Sequence, residues 1–244
     1  MPPAVHAHTR DAIRRRLAQA HRPSYLRDWV YGGIDGAVTT FAVVSGVAGA
    51  QLSPSIVIII GLANIVADGF SMAAGNYSAT KTEVDDRRRL EDVERNHIAL
   101  FPEGEREEVR QIHAGKGLSG AALEEAVAAI TANEETWINT MLVEEYGLAP
   151  TIRSPLLAGA HTFLAFMLCG AVPLLPYLLG LANPLLWASA LTAVVFLAIG
   201  SAKSMWSLDH WMKSGAETLA IGLGAASMAY LVGHLLRGFG APAG

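Results

Sequence analysis

Five apolar segments follow one another along the chain, and one long polar segment separates the second from the third. A membrane-spanning helix needs about 20 mostly apolar residues. The segments that meet this length are 29–50, 54–77, 155–179, 184–203 and 215–236. The links after the first and third segments, QLS and GLAN, are too short for anything but a helical hairpin. The pattern therefore predicts an all-α, polytopic membrane protein with five transmembrane helices.

The polar segment, residues 81–150, holds 16 Asp and Glu against 8 Lys and Arg, a net charge of −8. Its pattern predicts a helix over about 78–99 that continues the second span, and a second helix over about 103–114. A third helical section covers about 119–146, with a possible interruption near residues 131–133. The segment is thus predicted to be a helical soluble domain inserted between spans two and three.

The predicted organisation has four parts. Residues 1–28 form an N-terminal segment, residues 29–80 carry spans one and two, residues 81–150 form the insert, and residues 151–244 carry spans three to five with a short tail. The sequence RDAIRRRLAQAHR in the first part is basic and amphipathic, which favours a helix lying at the membrane surface. A disordered basic tail is the alternative.

Composition and charge agree with a membrane protein. Charged residues are 16% of the chain and hydrophobic residues 52%, whereas an average soluble domain is about 25% charged. The single cysteine, Cys169, excludes a disulfide framework. The basic residues flank apolar spans and the insert is acidic, so nothing indicates nucleic-acid binding.

The placement of Lys and Arg predicts the orientation in the membrane. Of the 18 Lys and Arg residues, all except Arg237 lie on the side of the N-terminus and the insert. Cytoplasmic segments carry the excess of positive charge. The N-terminus and residues 81–150 are therefore expected in the cytoplasm and the C-terminus outside. A composition rich in Ala, Gly and Arg favours a bacterial inner membrane.

Ionisable and polar side chains recur inside the first two spans. Span one contains Asp35, and span two contains Asn64, Asp68, Met72 and Asn76 at four-residue intervals, which form one stripe along a helix. Ionisable groups within spans are costly and are usually functional. At 1.5 Å per residue, Asp35 and Met72 both lie roughly 7–9 Å below the cytoplasmic surface. A carboxylate with a thioether suits Fe²⁺. The alternative is that Asp35 pairs locally and Met72 only packs.

Two carboxylates of the spans are candidates for proton coupling. Glu217 lies about one turn inside the fifth span, and Asp68 belongs to the stripe of span two. Glu217 serves proton transfer in one interpretation and sits at the membrane interface in the other.

Three pairs of potential metal ligands stand out in the insert. Each pair is spaced three or four residues apart, so that both side chains share a helix face. The pairs are Glu94 with His97, Glu105 with Glu108, and Met141 with Glu145. Carboxylates with a neutral imidazole suit Fe²⁺, Mn²⁺ or Zn²⁺, and a thioether shifts the preference toward softer metals. A solvated acidic helix face is the alternative for any one pair.

Several segments of the chain resemble the vacuolar iron transporter (VIT) family. They are IDGAVTTFAVVSGVAGA, GLANIVADGFSMAAGNYSATKTE, PLLPY and GAETLAIGLGAASMAYLVGHLL. The resemblance covers about residues 25–238. It implies a five-span dimeric exchanger that moves Fe²⁺, and often Mn²⁺, out of the cytoplasm in exchange for protons, along a path between the two subunits. It also implies a cytoplasmic metal-binding domain that continues from span two.

The resemblance also implies roles for individual residues. Five positions match the ligand pattern of the family's metal-binding domain: Glu94, Glu105, Glu108, Met141 and Glu145. Two depart from it, because His97 stands where a second Glu is expected and Leu142 where a second Met is expected.

The family has an Asp and a Met in its transport pathway through the spans, and Asp35 and Met72 match these two residues. Asn64 stands where a carboxylate is often found, and Asp68, one turn away, is a candidate replacement.

The function expected from the sequence is a proton-coupled Fe²⁺ antiporter rather than an enzyme, acting as a homodimer in a lipid bilayer. No resident cofactor is expected: Fe²⁺ is the substrate, and Mn²⁺, Co²⁺, Ni²⁺ or Zn²⁺ are further metals the site chemistry admits. Two alternatives remain open. A membrane-anchored di-iron oxidase would use Glu94, His97, Glu105 and Glu108, although such sites take ligands from four helices. An iron buffer or sensor without transport is the other.

Overall fold

The computed structural model describes residues 7–18, 23–149, 153–204 and 210–237, and within these ranges all regular structure is helical. The helices are α1 Arg10–Ala18, α2 Leu26–Gly49, α3 Pro54–Leu100, α4 Pro102–Gly115, α5 Gly120–Thr131, α6 Glu134–Glu144, α7 Pro155–Ala171, α8 Leu175–Leu178, α9 Pro184–Lys203 and α10 Trp211–Leu236. A 3₁₀ turn, Val172–Leu174, joins α7 to α8. The predicted all-α fold class is confirmed.

Parts of two sequence predictions lie outside the described residues. Residues 1–6 and 19–22 of the predicted N-terminal segment lie outside the described residues, and helix α1 lies in the part of this segment that is described. The predicted C-terminal tail from residue 238 onward lies outside them as well.

The chain divides into two compact units. One, here called the insert unit, contains Glu83–Arg153 together with the N-terminal segment. The other, here called the span unit, contains Tyr25–Thr82 and the chain from Ser154 onward. Helix α3 is continuous over 47 residues and contributes to both.

Five helical segments in the described chain are long and apolar enough to cross a membrane, as the sequence predicts. They are Leu26–Gly49, Pro54–Leu100, Pro155–Leu178, Pro184–Lys203 and Trp211–Leu236. The first and fifth begin a few residues before the predicted apolar segments, because a helix can extend past its apolar stretch into polar residues. The third contains a break at Pro173 and Pro176, since proline has no N–H to donate to the helix.

Close contacts of α2 with its neighbours organise the span unit. A Cβ atom placed on Gly32 would overlap the backbone oxygen of Thr162, and one on Gly36 would overlap that of Phe166. Both partners lie on α7 and are fully buried. Small residues allow helix backbones in membranes to approach closely, which maximises van der Waals packing. Glycine is therefore required at these two positions of α2.

The variant Gly36→Ala is expected to be destabilised, because its methyl group pushes α7 away from α2. Overpacking of this kind costs about 1–3 kcal/mol, and each kcal/mol lowers the Tm of a chain this size by about 2–4 °C. Thermal unfolding in detergent measures the change. Gly224→Ala on α10 is the matched control, because nothing lies within 4 Å of its added Cβ. Equal Tm values for the two variants would contradict this packing.

The insert unit has its own apolar core, formed by residues from α4, α5 and α6. The buried members are Val109, Leu123, Val127, Trp137 and Met141. A neighbouring buried cluster contains Leu90 of α3 with Ile138 and Leu142 of α6. These two clusters hold the helices that carry the acidic side chains in a defined arrangement.

One buried arginine ties α3 to the end of the insert. Arg87 is 7% exposed, and its guanidinium donates to the Glu91 carboxylate at 3.0 Å, the Asn139 side-chain oxygen at 2.9 Å and the Ala149 carbonyl at 2.8 Å. A buried guanidinium needs such partners, because an unpaired one carries a large desolvation cost.

Candidate metal centre

The junction between α3 and α4 brings the first two predicted ligand pairs together. Helix α3 ends at Leu100, and Phe101 adopts a non-helical backbone before α4 begins at Pro102. A residue that precedes proline is disfavoured in the α conformation. The Phe101 N–H still donates to the His97 carbonyl, and the Phe101 carbonyl accepts from the Glu105 N–H. The chain therefore turns within one residue, and the two helices approach each other.

Glu94, His97 and Glu105 form the candidate site at this turn. The Nδ1 atom of His97 lies 3.4 Å from Oε1 of Glu105 and 3.7 Å from Oε1 of Glu94. One potential ligand atom from each residue lies within 4.8 Å of the others. Three ligand atoms that each lie about 2.0–2.2 Å from one ion would be separated from one another by similar distances.

The two carboxyl groups each keep one oxygen without a partner. Glu94 is 1% exposed and Glu105 is 5% exposed, and the Oε2 atom of each is buried without a hydrogen bond. Burial of an unpaired polar atom costs free energy. A bound cation would satisfy both oxygens, so the arrangement itself points to a positively charged ligand.

Neighbouring carboxylates shape the electrostatics of the site. Burial raises the pKa of Glu105 to about 7. The charges of Glu108 and Glu94, a hydrogen bond between the Glu105 and Glu94 carboxyl groups, and the charge of Glu145 add to this effect. Burial, followed by the charges of Glu108 and Glu94, also raises the pKa of Glu145. Four predicted ligand carboxylates therefore lie close enough to act on one another, and the cluster holds a proton near neutral pH.

Metal binding at pH 7 is expected to release a proton from the cluster. The pKa of Glu105 is about 7 in the folded protein and 4.5 in its unperturbed state. Between these values the folded metal-free state binds more protons than the unfolded state, so its stability falls as pH rises through this window. A divalent ion displaces that proton, since ligands must be deprotonated.

Calorimetric titration of Mn²⁺ in two buffers of different ionisation enthalpy measures the released protons. The variant Glu105→Gln is expected to release fewer protons than the wild type. An identical proton count for the two proteins would contradict the assignment.

The third predicted pair is placed differently from the first two. Met141 is fully buried in the apolar core of the insert, packed with Val109, Leu123 and Trp137. Glu145 follows the last residue of α6 as its C-cap and is exposed. The structure therefore gives Met141 a packing role in the core and places the Glu145 carboxylate within electrostatic reach of the cluster.

Tyr146 is a neighbour of the cluster that the sequence pattern did not single out. Its hydroxyl donates to Oε1 of Glu94 at 2.9 Å. Burial, and then the hydrogen bond to Glu94, raise the pKa of Tyr146, so the phenol keeps its proton and remains a donor. Its position next to Glu145 was the one available signal, and spacing alone does not reveal a partner on another helix.

The predicted pathway residues lie in the span unit. Asp35 is half-buried and lines an open groove of about 600 Å³, together with Arg27, Tyr31, Lys203 and apolar side chains. Asp68 of α3 is exposed, and its charge interacts with that of Asp35. These two carboxylates are therefore brought into one region.

The remaining predicted residues of the spans have separate surroundings. Asn64 and Met72 are partly buried, and the Asn64 side-chain nitrogen is buried without a hydrogen-bond partner. Glu217 lies exposed on α10. In the described part of the chain, no hydrogen bond or ion pair joins Glu217 to either aspartate.

Asn76, the last member of the predicted stripe, connects three helices. Its side-chain nitrogen donates to Oδ1 of Asp28 on α2 at 2.8 Å and to Oγ1 of Thr162 on α7 at 2.7 Å. Asp28 is 2% exposed. Asp28 is not among the residues predicted from the sequence, because it lies before the apolar stretch that defines span one. Asn76 is a structural residue in this arrangement.

Five apolar spans and a helical unit that carries a cluster of two buried carboxylates and an exposed imidazole define a polytopic α-helical membrane protein with a candidate metal-binding insert. Residues 26–234 match the model of the VIT family. The chain therefore belongs to the VIT family, as the resemblance of its motifs predicts.

Individual relatives are similar to the chain over most of their length. Vacuolar iron transporter 1 of Eucalyptus grandis is 32% identical over 226 residues, covering 89% of this chain and 91% of the relative. Vacuolar iron transporter 1 of Arabidopsis thaliana is 31% identical over 215 residues, covering 87% and 86%. The vacuolar iron transporter of Toxoplasma gondii is 31% identical over 253 residues, covering 95% and 82%.

Proposed function

We propose that this protein is a proton-coupled transporter that exports Fe²⁺ from the cytoplasm, with Mn²⁺ as a second substrate. The observation that carries the proposal is the pair of buried, unpartnered carboxylate oxygens of Glu94 and Glu105 beside His97. The proposal also draws on the relatives, which are named as iron transporters.

The insert captures the ion in this proposal. Two carboxylates and a neutral imidazole suit Fe²⁺ and Mn²⁺, and also admit Co²⁺, Ni²⁺ and Zn²⁺. Glu108 and Glu145 add negative charge beside the bound ion, and Met141 supports the site from the core. The acidic insert raises the local concentration of cations, because clustered charge of one sign attracts counter-ions.

Asp35 and Asp68 receive the ion within the spans, with Met72 and Asn64 as further ligands. The two carboxylates interact electrostatically, and a divalent cation between them neutralises both charges. Once the ion leaves, protons replace it on Asp68, with Glu217 as a second group for proton transfer. This exchange couples metal export to proton entry.

A homodimer completes the pathway. Asp68 is exposed on a membrane-spanning helix of the single chain, and a carboxylate facing lipid is costly. A second copy of the chain placed against α3 would shield it from lipid. The proposed orientation has the N-terminus and insert in the cytoplasm and the C-terminus outside, in agreement with the distribution of Lys and Arg.

Transport assays in proteoliposomes test the proposal. Fe²⁺ flux is followed with an entrapped indicator, with and without a pH gradient, and oxygen consumption is recorded in parallel. We expect flux above that of empty liposomes, accelerated by a proton gradient directed opposite to the metal flux, with no oxygen uptake beyond that of Fe²⁺ alone. Flux equal to that of empty liposomes contradicts transport. Flux that ignores the gradient contradicts coupling, and protein-dependent oxygen uptake supports an oxidase instead.

A further inference from the structure

The hydrogen bond between Tyr146 and Glu94 leaves the two oxygens of a candidate ligand in different surroundings. Oε1 of Glu94 accepts the Tyr146 hydroxyl at 2.9 Å. Oε2 of the same carboxylate is buried and has no hydrogen-bond partner. A hydrogen bond to an ionised carboxylate is roughly twice as strong as one between neutral groups. It therefore resists rotation of the carboxylate about its side-chain axis.

Tyr146 itself is held in place by packing. Its ring packs against the buried cluster of Leu90, Ile138 and Leu142. Glu94 is 1% exposed, so water does not compete for its oxygens. The Tyr146 hydroxyl also reaches the Glu145 carboxylate. Its bond to Glu94 joins a packed donor to a buried acceptor, and this pair restricts the direction in which Oε2 points.

We propose that Tyr146 is a positioning residue that restricts Glu94 to binding an ion through one oxygen, and that it thereby makes the insert favour small transition-metal ions over Ca²⁺. This inference rests on the proposed metal-binding role of the cluster. It adds the residue that sets the selectivity of the site.

The physical basis is the difference in coordination between the two kinds of ion. Ca²⁺ takes 6–8 oxygen ligands at 2.3–2.6 Å and commonly binds carboxylates through both oxygens. Transition-metal ions accept imidazole nitrogen together with fewer oxygen ligands at shorter distances. With Oε1 already accepting from the phenol, bidentate binding by Glu94 would make that oxygen serve the hydroxyl and the ion at once, through its two lone pairs, which weakens its bond to the ion. The resulting loss of binding affinity is larger for Ca²⁺ than for the smaller ions.

Co²⁺ and Ca²⁺ are suitable probes, because Co²⁺ resists oxidation and its visible absorption bands report the coordination geometry. The variant Tyr146→Phe keeps the packed ring and removes only the hydroxyl. Loss of a group that orients a metal ligand typically weakens metal affinity by about 10–100-fold. We expect the Kd of Co²⁺ for the full-length variant to rise by about tenfold, whereas the Kd of Ca²⁺ stays unchanged or falls.

Two controls accompany these titrations of the full-length protein in detergent. Tyr230→Phe removes a phenol from α10, outside the insert, and is expected to match the wild type. Glu94→Gln removes the ligand charge and defines the binding that occurs elsewhere on the chain.

The outcomes separate this inference from the proposed function. A reduced preference for Co²⁺ over Ca²⁺ together with shifted Co²⁺ bands in Tyr146→Phe supports the inference. An unchanged preference, or equal weakening of both ions with unshifted bands, overturns it while the metal site stands. Equal Co²⁺ binding by the wild type and Glu94→Gln overturns the metal site and the inference together.

Discussion

Replacement of Asp35 by alanine is expected to reduce Fe²⁺ flux in proteoliposomes to the level of empty liposomes. Asp35 lines the groove on α2, and its charge interacts with that of Asp68. A divalent cation between membrane helices requires nearby negative charge, because the low-dielectric interior makes an uncompensated ion very costly. Without Asp35 the ion has one carboxylate left in this region, and the barrier to its passage rises.

The variant Asp35→Asn separates the charge from the shape of this side chain. It is nearly isosteric with aspartate and is expected to lose flux as Asp35→Ala does, whereas Asp35→Glu is expected to retain part of it. Metal binding by the insert is expected to stay at the wild-type level in all three variants. Wild-type flux in Asp35→Asn would contradict the proposed pathway.

The double variant Glu94→Gln with Glu105→Gln is expected to lower Mn²⁺ affinity by about 100-fold or more, since even outer-shell changes cost about 10–100-fold. These are the two buried carboxyl groups of the cluster, and an amide brings no negative charge to the ion. A bound ion raises Tm through mass action. The increase in Tm with added Mn²⁺ is therefore expected to disappear in the variant.

A matched control removes two carboxylates of the insert unit that lie outside the cluster. Glu103 lies on α4 and Glu135 on α6, and both are exposed. Glu103→Gln with Glu135→Gln is expected to keep the Mn²⁺-dependent increase in Tm. Equal loss of the increase in both double variants would show that net charge, rather than a defined site, holds the ion.

The spans were predictable from sequence because the membrane imposes a length of apolar chain that few other structures need. The continuation of α3 beyond the second span was also predictable, since no proline or glycine interrupts the chain between Tyr77 and Leu100. The ends of the spans were less predictable from the sequence. Helices α2 and α10 start at Leu26 and Trp211, and the charged residues of their first turns keep these starts out of the apolar segments. The break at Pro173 depends on local backbone geometry.

The candidate site was predictable to the extent that it is local. Glu94 and His97 share a face of one helix, and Pro102 marks the turn that brings Glu105 beside them. Contacts between distant segments were not predictable, because helical spacing does not say which face meets which neighbour. The burial of Met141 in the core and the bond from Tyr146 to Glu94 are of this kind.

We propose that Glu94, His97 and Glu105 together hold a divalent metal ion. Anomalous diffraction from crystals of the full-length protein grown with Mn²⁺, recorded on both sides of the manganese absorption edge, tests this site. We expect an anomalous peak within ligand distance of a carboxylate oxygen of Glu94, a carboxylate oxygen of Glu105 and a ring nitrogen of His97. Manganese peaks elsewhere on the chain, with none between these three side chains, would contradict it.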